Sequence, residues 1–212
     1  MPYWIIERGR ESVTIMTHDD LSSLYAGGAA RLDARTLADA GLDDQACAWL
    51  CEPGVPVQPV PPISLIEFVP PAMRSFGDGA GMVIAREPWG EALWLVVLPD
   101  GHVMTAGPGE AHLYVNARLE NFLHFLVAYQ RFQAMASVAD AGAKVYSQAD
   151  MQARLEAFRR GEVGAEPQAE AGFDRAAALG ELERTWRKRD AAALERGAWW
   201  HRIREQLRDG LL

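Results

Sequence analysis

The side chains best suited to chemistry in this chain are two cysteines, Cys47 and Cys51, four residues apart in the segment DDQACAWLCEPG. In a helix they could form half of a zinc site, but zinc needs two further ligands. No histidine stands at a ligand-like spacing, whether His18, His102, His112, His124 or His201. We therefore predict that both cysteines are small apolar core residues and that the chain holds no metal.

Other catalytic patterns are also missing. The segment GDGAGM, residues 77–82, resembles a phosphate-binding glycine loop, but it lacks the required spacing and leads into a strand. There is no nucleophile elbow, no Walker pattern and no paired-histidine zinc motif. The acidic pairs Asp19/Asp20 and Asp43/Asp44 stand where helices should begin. Helix capping therefore accounts for these carboxylates without a catalytic role. We predict no enzymatic activity, no catalytic residue and no cofactor, although an enzyme without a linear motif stays open.

The elements that would position any site begin with a strand ending near Met16 and a helix through DLSSLY. Short helices follow in LDARTLADAGL and DDQACAWLCEPG, the second capped by Asp43. Residues 53–71 hold 7 of the 12 prolines and predict an extended loop, interrupted by one short strand at SLIEF.

An antiparallel meander is predicted next, with strands at 81–86, 92–98 and 102–106 separated by the turns EPWGE and PDG. A fourth strand, HLYVN, leads to Asn116 as the cap of a long helix. The apolar residues of that helix recur at steps of three and four, which predicts an apolar stripe lying on the sheet. They are Leu119, Phe122, Leu123, Leu126, Tyr129 and Phe132.

The carboxy-terminal part reads as helical, with one helix over 147–160 and one or two more after residue 173. We predict a single domain over 1–212, with a core of sheet and helices at 35–145 and a helical extension at 146–212 that packs on it. Trp199 and Trp200 cannot both lie on one side of a helix. One should pack in the core, and the other should contact a partner or a second subunit.

Charge is unevenly distributed. Residues 1–150 carry 9 lysines and arginines against 18 aspartates and glutamates, a net charge of −9, whereas residues 151–212 carry 12 against 11, a net of +1. An acidic body disfavours nucleic acid and anionic membrane as partners and suits a basic protein, although acidity also serves solubility. The basic run RTWRKR is flanked by acidic residues and indicates a solvated helix face. With no long apolar run, we expect a cytoplasmic protein.

The order of segments resembles the SUKH superfamily, and most closely its fourth subfamily, over residues 37–212. The turn CEPGVP is followed by the strand SLIEF, the hairpin WLVVLPDGHVMTA and the helix VNARLENFLHFLVAY. The subfamily's carboxy-terminal pattern is matched by Asp190, Ala193, Leu194, Trp199 or Trp200, and Gly210. The resemblance implies an α+β fold, a twisted antiparallel sheet with helices packed on it, followed here by C-terminal helices.

The resemblance also implies a function, because the subfamily is known mainly as immunity proteins of bacterial polymorphic toxin systems. Such proteins have no known catalytic centre and are thought to neutralise a cognate toxin, often a nuclease or deaminase, by binding it. A basic toxin would suit the acidic body. A regulatory adaptor of the same fold, binding another cytosolic protein, remains the alternative. We expect a monomer or a weak homodimer.

A partner-binding surface is our own expectation from the hairpin turn EPWGE, where Trp89 stands between Glu87 and Glu91 and all three should be exposed. Asp78 in the glycine-rich turn and Asp100 in the next turn should join this surface. The alternative is that Trp89 folds back over the edge of the sheet.

Overall fold

The computed structural model of the protein describes residues 21–77, 79–89, 93–107, 112–142 and 173–212, together with parts of 152–160. The strand predicted before Met16 and the start of the helix through DLSSLY lie outside these residues. The helix predicted over 147–160 falls largely outside them, and residues 152, 155–157 and 159 are helical.

Two sheets are present in the described chain. The larger is a five-stranded antiparallel meander in chain order, formed by β3 (Glu67–Phe76), β4 (Gly79–Arg86), β5 (Trp94–Val97), β6 (Val103–Ala106) and β7 (Tyr114–Asn116). The smaller pairs β1 (Ala29–Ala30) with β2 (Val55–Pro56). The predicted meander is therefore confirmed, and β3 joins it as a fifth strand.

The predicted position of the strand at SLIEF is wrong, because β3 begins only at Glu67 and continues through Pro70 and Pro71. Its register against β4 shifts between Phe68 and Ala72, where the two prolines lie. Proline has no N–H to donate, and an edge strand bonds on one side only, so such a strand can hold prolines at a register shift.

The helices include α1 (Ala34–Ala38), α2 (Asp44–Cys51), α3 (Leu119–Gly142), α4 (Arg175–Arg189) and α5 (Trp199–Arg208), with a short 3-10 helix at Ala192–Leu194. Asp43 caps α2 as predicted, since its Oδ1 accepts a hydrogen bond from the Ala46 N–H at 2.6 Å. Asn116 does not cap α3. It is buried at the end of β7, and α3 begins three residues later.

Helix α3 is buried on nearly every side. Every residue from Phe122 to Gln130 is buried, rather than one stripe of them. The sheet, α2 and α4 all pack around this helix, which therefore needs apolar side chains beyond the predicted stripe. Helix α3 is thus the centre of the core.

Replacing Phe122 with alanine should lower the free energy of unfolding by about 3–5 kcal/mol, because the side chain is fully buried against Trp200 and leaves a cavity. Urea denaturation followed by circular dichroism measures the change. Met135→Ala, on the same helix at a residue 49% exposed, is the matched control and should change stability by less than about 1 kcal/mol. A midpoint for Phe122→Ala equal to that of the control would contradict the central position of α3.

Both tryptophans of α5 are buried, so the expectation that one of them faces a partner is wrong. The rings of Trp199 and Trp200 meet edge to face at 4.6 Å between centroids. Trp200 also contacts Trp186 of α4, at 4.9 Å, and Phe125 of α3, at 5.2 Å. Adjacent side chains on a helix point about 100° apart, but sheet and helices enclose α5 from both directions.

The two faces of the main sheet differ. Ile84, Leu95, Val97, Val103 and Val115 share one core with α3, α4 and α5. On the opposite face Val83, Val96 and Ala106 form a second, small apolar cluster to which only residues of the strands and their ends contribute. The fold class predicted from sequence, an antiparallel sheet with helices packed on it and helices at the carboxy terminus, is confirmed.

Candidate functional site

Metal-binding geometry does not occur in the part of the chain that the structure describes, where no three His, Cys, Asp or Glu side chains are grouped to hold an ion. Cys47 and Cys51 are free and half-buried, and they pack against the core. Burial raises the pKa of the Cys47 thiol, which keeps it protonated and poorly nucleophilic. The functional candidates are therefore surfaces, and the buried polar groups matter by shaping them.

The largest buried polar cluster surrounds Asp190, the residue that follows α4. Its carboxylate accepts hydrogen bonds from the Ala117 N–H at 2.8 Å, the Tyr114 hydroxyl at 3.1 Å and the Asn116 amide at 3.2 Å. Within the described ranges no lysine or arginine forms an ion pair with it. Burial, and then the negative charge of Asp190, raise the pKa of Tyr114, so the phenol keeps the proton that it donates.

This cluster connects two distant parts of the sequence. Asn116 Oδ1 accepts a hydrogen bond from Trp200 Nε1 at 2.8 Å, while the Asn116 amide donates to Asp190. The segment entering α3 is thereby fixed to the carboxy-terminal helices. We assign the cluster a structural role, since its donors and acceptors satisfy one another and Asn116 and Asp190 at its centre are buried.

Glu87, predicted to be exposed on the partner-binding surface, is buried with 7% of its surface accessible. Its carboxylate accepts hydrogen bonds from Trp199 Nε1 and from the Arg202 guanidinium of α5. The expectation of exposure is wrong because these donors come from a helix more than a hundred residues further along the chain. Glu87 fixes the start of the β4–β5 loop, and its N–H also bonds the Leu93 carbonyl at 3.0 Å.

Trp89, two residues after Glu87, is 64% exposed. The alternative in which it folds back over the sheet edge does not occur. The glutamates at the end of β4 and the start of β3 form ion pairs, Glu87 with Arg202 of α5 and Glu67 with Arg86. Glu91 lies outside the described residues. Trp89 is thus an exposed aromatic side chain that closely follows a buried, hydrogen-bonded glutamate.

Asp100 lies at the other end of β5 from Trp89, because the turn after β5 and the loop before it are at opposite ends of the strand. The hydrogen bond from the His102 side chain lowers the pKa of Asp100, so the carboxylate is ionised. Asp78 lies outside the described residues. The structure therefore does not bring Asp100 and Trp89 together as neighbours.

The turn containing Asp100 packs against the start of α2. Gly101 has a φ of +84°, and a Cβ there would approach Asp43 Oδ2 to 2.6 Å, so only glycine fits. This contact brings the start of α2, with exposed Asp44, beside the turn that contains Asp100. We call Asp44 and Asp100 the acidic corner. Arg118, which bonds Gln45 of α2, is a cation of the same region.

The face of the main sheet opposite α3, which we call the outer face, carries a groove with a volume of about 330 Å³. It is lined by Phe76, Gly79, Ala80, Val96, Leu98, Met104, Ala106 and His112. The lining is almost wholly apolar and offers no convergent set of polar groups for catalysis. Sequence reasoning missed this groove, although the alternation of apolar residues on both faces of β5 in WLVV was the signal.

Taken together, these features define an α+β scaffold on which exposed surfaces are the candidate sites. The chain belongs to the SUKH-4 immunity protein family, whose model matches residues 16–206. This membership supports an immunity-protein role without catalysis. Comparisons with curated proteins and with solved structures gave no match. Within the described residues, no helix combines the length and the apolar character needed to cross a membrane.

Proposed function

We propose that this protein binds a cognate toxin, a basic nuclease or deaminase, in the cytoplasm and blocks its active or substrate-binding surface. The observation that carries the proposal is the family match over most of the chain. The acidic body, with a net charge of −9 over residues 1–150, supports a basic partner.

Trp89 is the proposed anchor of the interface. Its ring is large and 64% exposed, and the bonds of Glu87 to Trp199 and Arg202 fix the backbone two residues before it. A pre-organised aromatic side chain loses little conformational entropy on binding, which is why such residues dominate interface energies. Glu87 acts in this proposal through the loop, and Glu91 and Asp78 remain proposed partner contacts.

The acidic corner is the proposed electrostatic part of the same interface. Strand β5 has four residues and is about 13 Å long, at about 3.3 Å per residue. A standard interface covers about 800 Å² on each partner, a patch roughly 30 Å wide, and could include both ends of this strand. Asp100 and Asp44 would then speed the encounter with a basic toxin, while Trp89 would supply most of the affinity.

Changing Trp89 to alanine should weaken toxin binding by about thirtyfold or more, the effect typical of an interface hot spot, while leaving the melting temperature unchanged. Titration calorimetry with the purified toxin and thermal denaturation measure the two quantities. Leu211→Ala, at another exposed apolar residue, is the control and should alter neither. Unchanged affinity for Trp89→Ala would remove this loop from the interface.

The test of the function itself is co-expression of the protein with the product of the adjacent reading frame. We expect capture of one basic polypeptide that arrests growth when expressed alone and is inactive in the complex, with association slower at high salt. Capture of endogenous cytosolic proteins with no toxic product would contradict the immunity function and favour a regulatory adaptor.

A further inference from the structure

Among the strands that the structure describes, the carboxy-terminal half of β3 forms an open sheet edge. The five strands lie in chain order, so β3 pairs with β4 on one side and has no strand partner in the described chain on the other. Residues Ala72 to Ser75 are all exposed. In an antiparallel ladder alternate residues direct their N–H and C=O groups away from the paired strand, and these groups can bond an added strand.

The two halves of β3 differ in their capacity for such pairing. Pro70 and Pro71 lack an N–H and lie at the register shift, so they interrupt pairing in the first half. The residues from Ala72 to Phe76 contain no proline and stay in register with β4 from Val83 to Gly79. Five residues of edge are therefore available, enough for a short added strand.

The same segment borders the apolar groove of the outer face. Phe76 lines the groove, and Arg74, two residues earlier, lies over the Trp94 ring with its guanidinium carbon 4.4 Å from the ring centroid. Side chains two residues apart in a strand lie on one face, so Arg74 and Phe76 face the same side of the sheet. An added strand could contact both of them and place an apolar side chain at the mouth of the groove.

Arg74 also indicates the charge of the added strand. Among the described residues no carboxylate pairs with its guanidinium, whereas Arg86 on the neighbouring strand binds Glu67. A second copy of this chain is disfavoured as the occupant, because antiparallel self-pairing centred on Arg74 would oppose two guanidinium groups. A strand with a carboxylate opposite Arg74 would pair with it favourably.

From these observations we propose that residues Ala72–Phe76 bind an extended segment of a partner protein by strand addition. The segment carries a carboxylate that pairs with Arg74 and, two residues away on the same face, an aliphatic side chain that enters the groove beside Phe76. This site lies towards the opposite end of β4 from the Trp89 loop, since Phe76 pairs with Gly79 and the loop follows Arg86. It is therefore a second docking surface, independent of the identity of the toxin.

The probe is the peptide acetyl-TVTDTVT-amide, in which two valines and the aspartate share one face of a strand. Amide chemical shifts of the full-length, isotope-labelled protein should move in Ala72–Phe76 and in residues that line the groove. The peptide with lysine in place of the aspartate should bind about fivefold more weakly, since a favourable cross-strand pair becomes a repulsive one. The aspartate peptide with N-methylated threonines should not bind, because it cannot form the ladder bonds.

Arg74→Glu should reverse this preference, so that the lysine peptide binds more tightly than the aspartate peptide. Arg74→Gln should abolish the preference and serves as the second variant if Arg74→Glu is poorly folded. The absence of shifts in Ala72–Phe76, or an unchanged preference in both folded variants, would overturn the proposal. Either result would leave toxin neutralisation by the Trp89 surface untouched, because that function is tested with the toxin itself.

Discussion

Replacing Trp200 with alanine is expected to lower the free energy of unfolding by about 5 kcal/mol or more, the upper range for loss of a buried aromatic side chain. The ring is fully buried and contacts aromatic side chains from α3, α4 and its own helix. Its Nε1 also bonds Asn116 Oδ1 at 2.8 Å, so the change leaves a buried acceptor unsatisfied. Since domains of this size are stable by about 5–15 kcal/mol, the loss removes a large share of the total stability.

The control for this prediction is Trp89→Ala, which removes the same side chain from an exposed position. It should change the unfolding free energy by less than about 1 kcal/mol. Urea denaturation monitored by far-ultraviolet circular dichroism, with the slope compared among the variants, measures both changes. Equal midpoints for the two variants would show that the carboxy-terminal helices contribute little to the core.

The parts of the fold that sequence predicts well are those determined by neighbouring residues. The meander follows from β-branched runs separated by the PDG turn, and α2 begins where Asp43 can accept the Ala46 N–H. Both signals lie within a few residues of the structure they specify. The position of β3 was less predictable, because prolines within a strand are tolerated only at an edge, and edge position depends on the whole sheet.

The candidate site, in contrast, depends on contacts between residues that are distant in the sequence. Glu87 and Glu91 look equivalent around Trp89 in the sequence, yet Glu87 is buried by Trp199 and Arg202, which lie on a helix 112 and 115 residues further on. Asn116 was misread as a cap for the same reason, since its partners Asp190 and Trp200 are distant in sequence. No local pattern indicates such pairings, whereas the exposure of Trp89 follows from its place in a charged turn.

These long-range contacts connect the scaffold to the proposed interface. Helix α5 contributes Trp199 and Arg202 to Glu87 at the base of the Trp89 loop, and Trp200 of the same helix to the core. A change that loosens α5 should therefore disorder the loop as well as reduce stability. Binding defects of core variants are for this reason interpretable only beside their unfolding free energies.

Asp190→Ala is expected to lower the free energy of unfolding by about 4–6 kcal/mol. The carboxylate accepts hydrogen bonds from Tyr114, Asn116 and the Ala117 N–H. Its removal leaves these donors without their acceptor, and each buried unsatisfied group costs about 1–3 kcal/mol. Because Asn116 also bonds Trp200, the loss should spread to the docking of α5. Urea denaturation measures the loss, and tryptophan fluorescence reports the environment of the chain's tryptophans, Trp200 among them.

Two further substitutions separate this cause from a general effect of removing a charge. Asp190→Asn keeps one acceptor oxygen but turns an amide donor towards the existing donors, so it should cost less than the alanine variant, about 2–3 kcal/mol. Asp209→Ala removes an exposed carboxylate at the end of α5 and should cost less than about 1 kcal/mol. If Asp190→Ala were no less stable than Asp209→Ala, the hydrogen bonds to Asp190 could not be what fixes the entry of α3 to the carboxy-terminal helices.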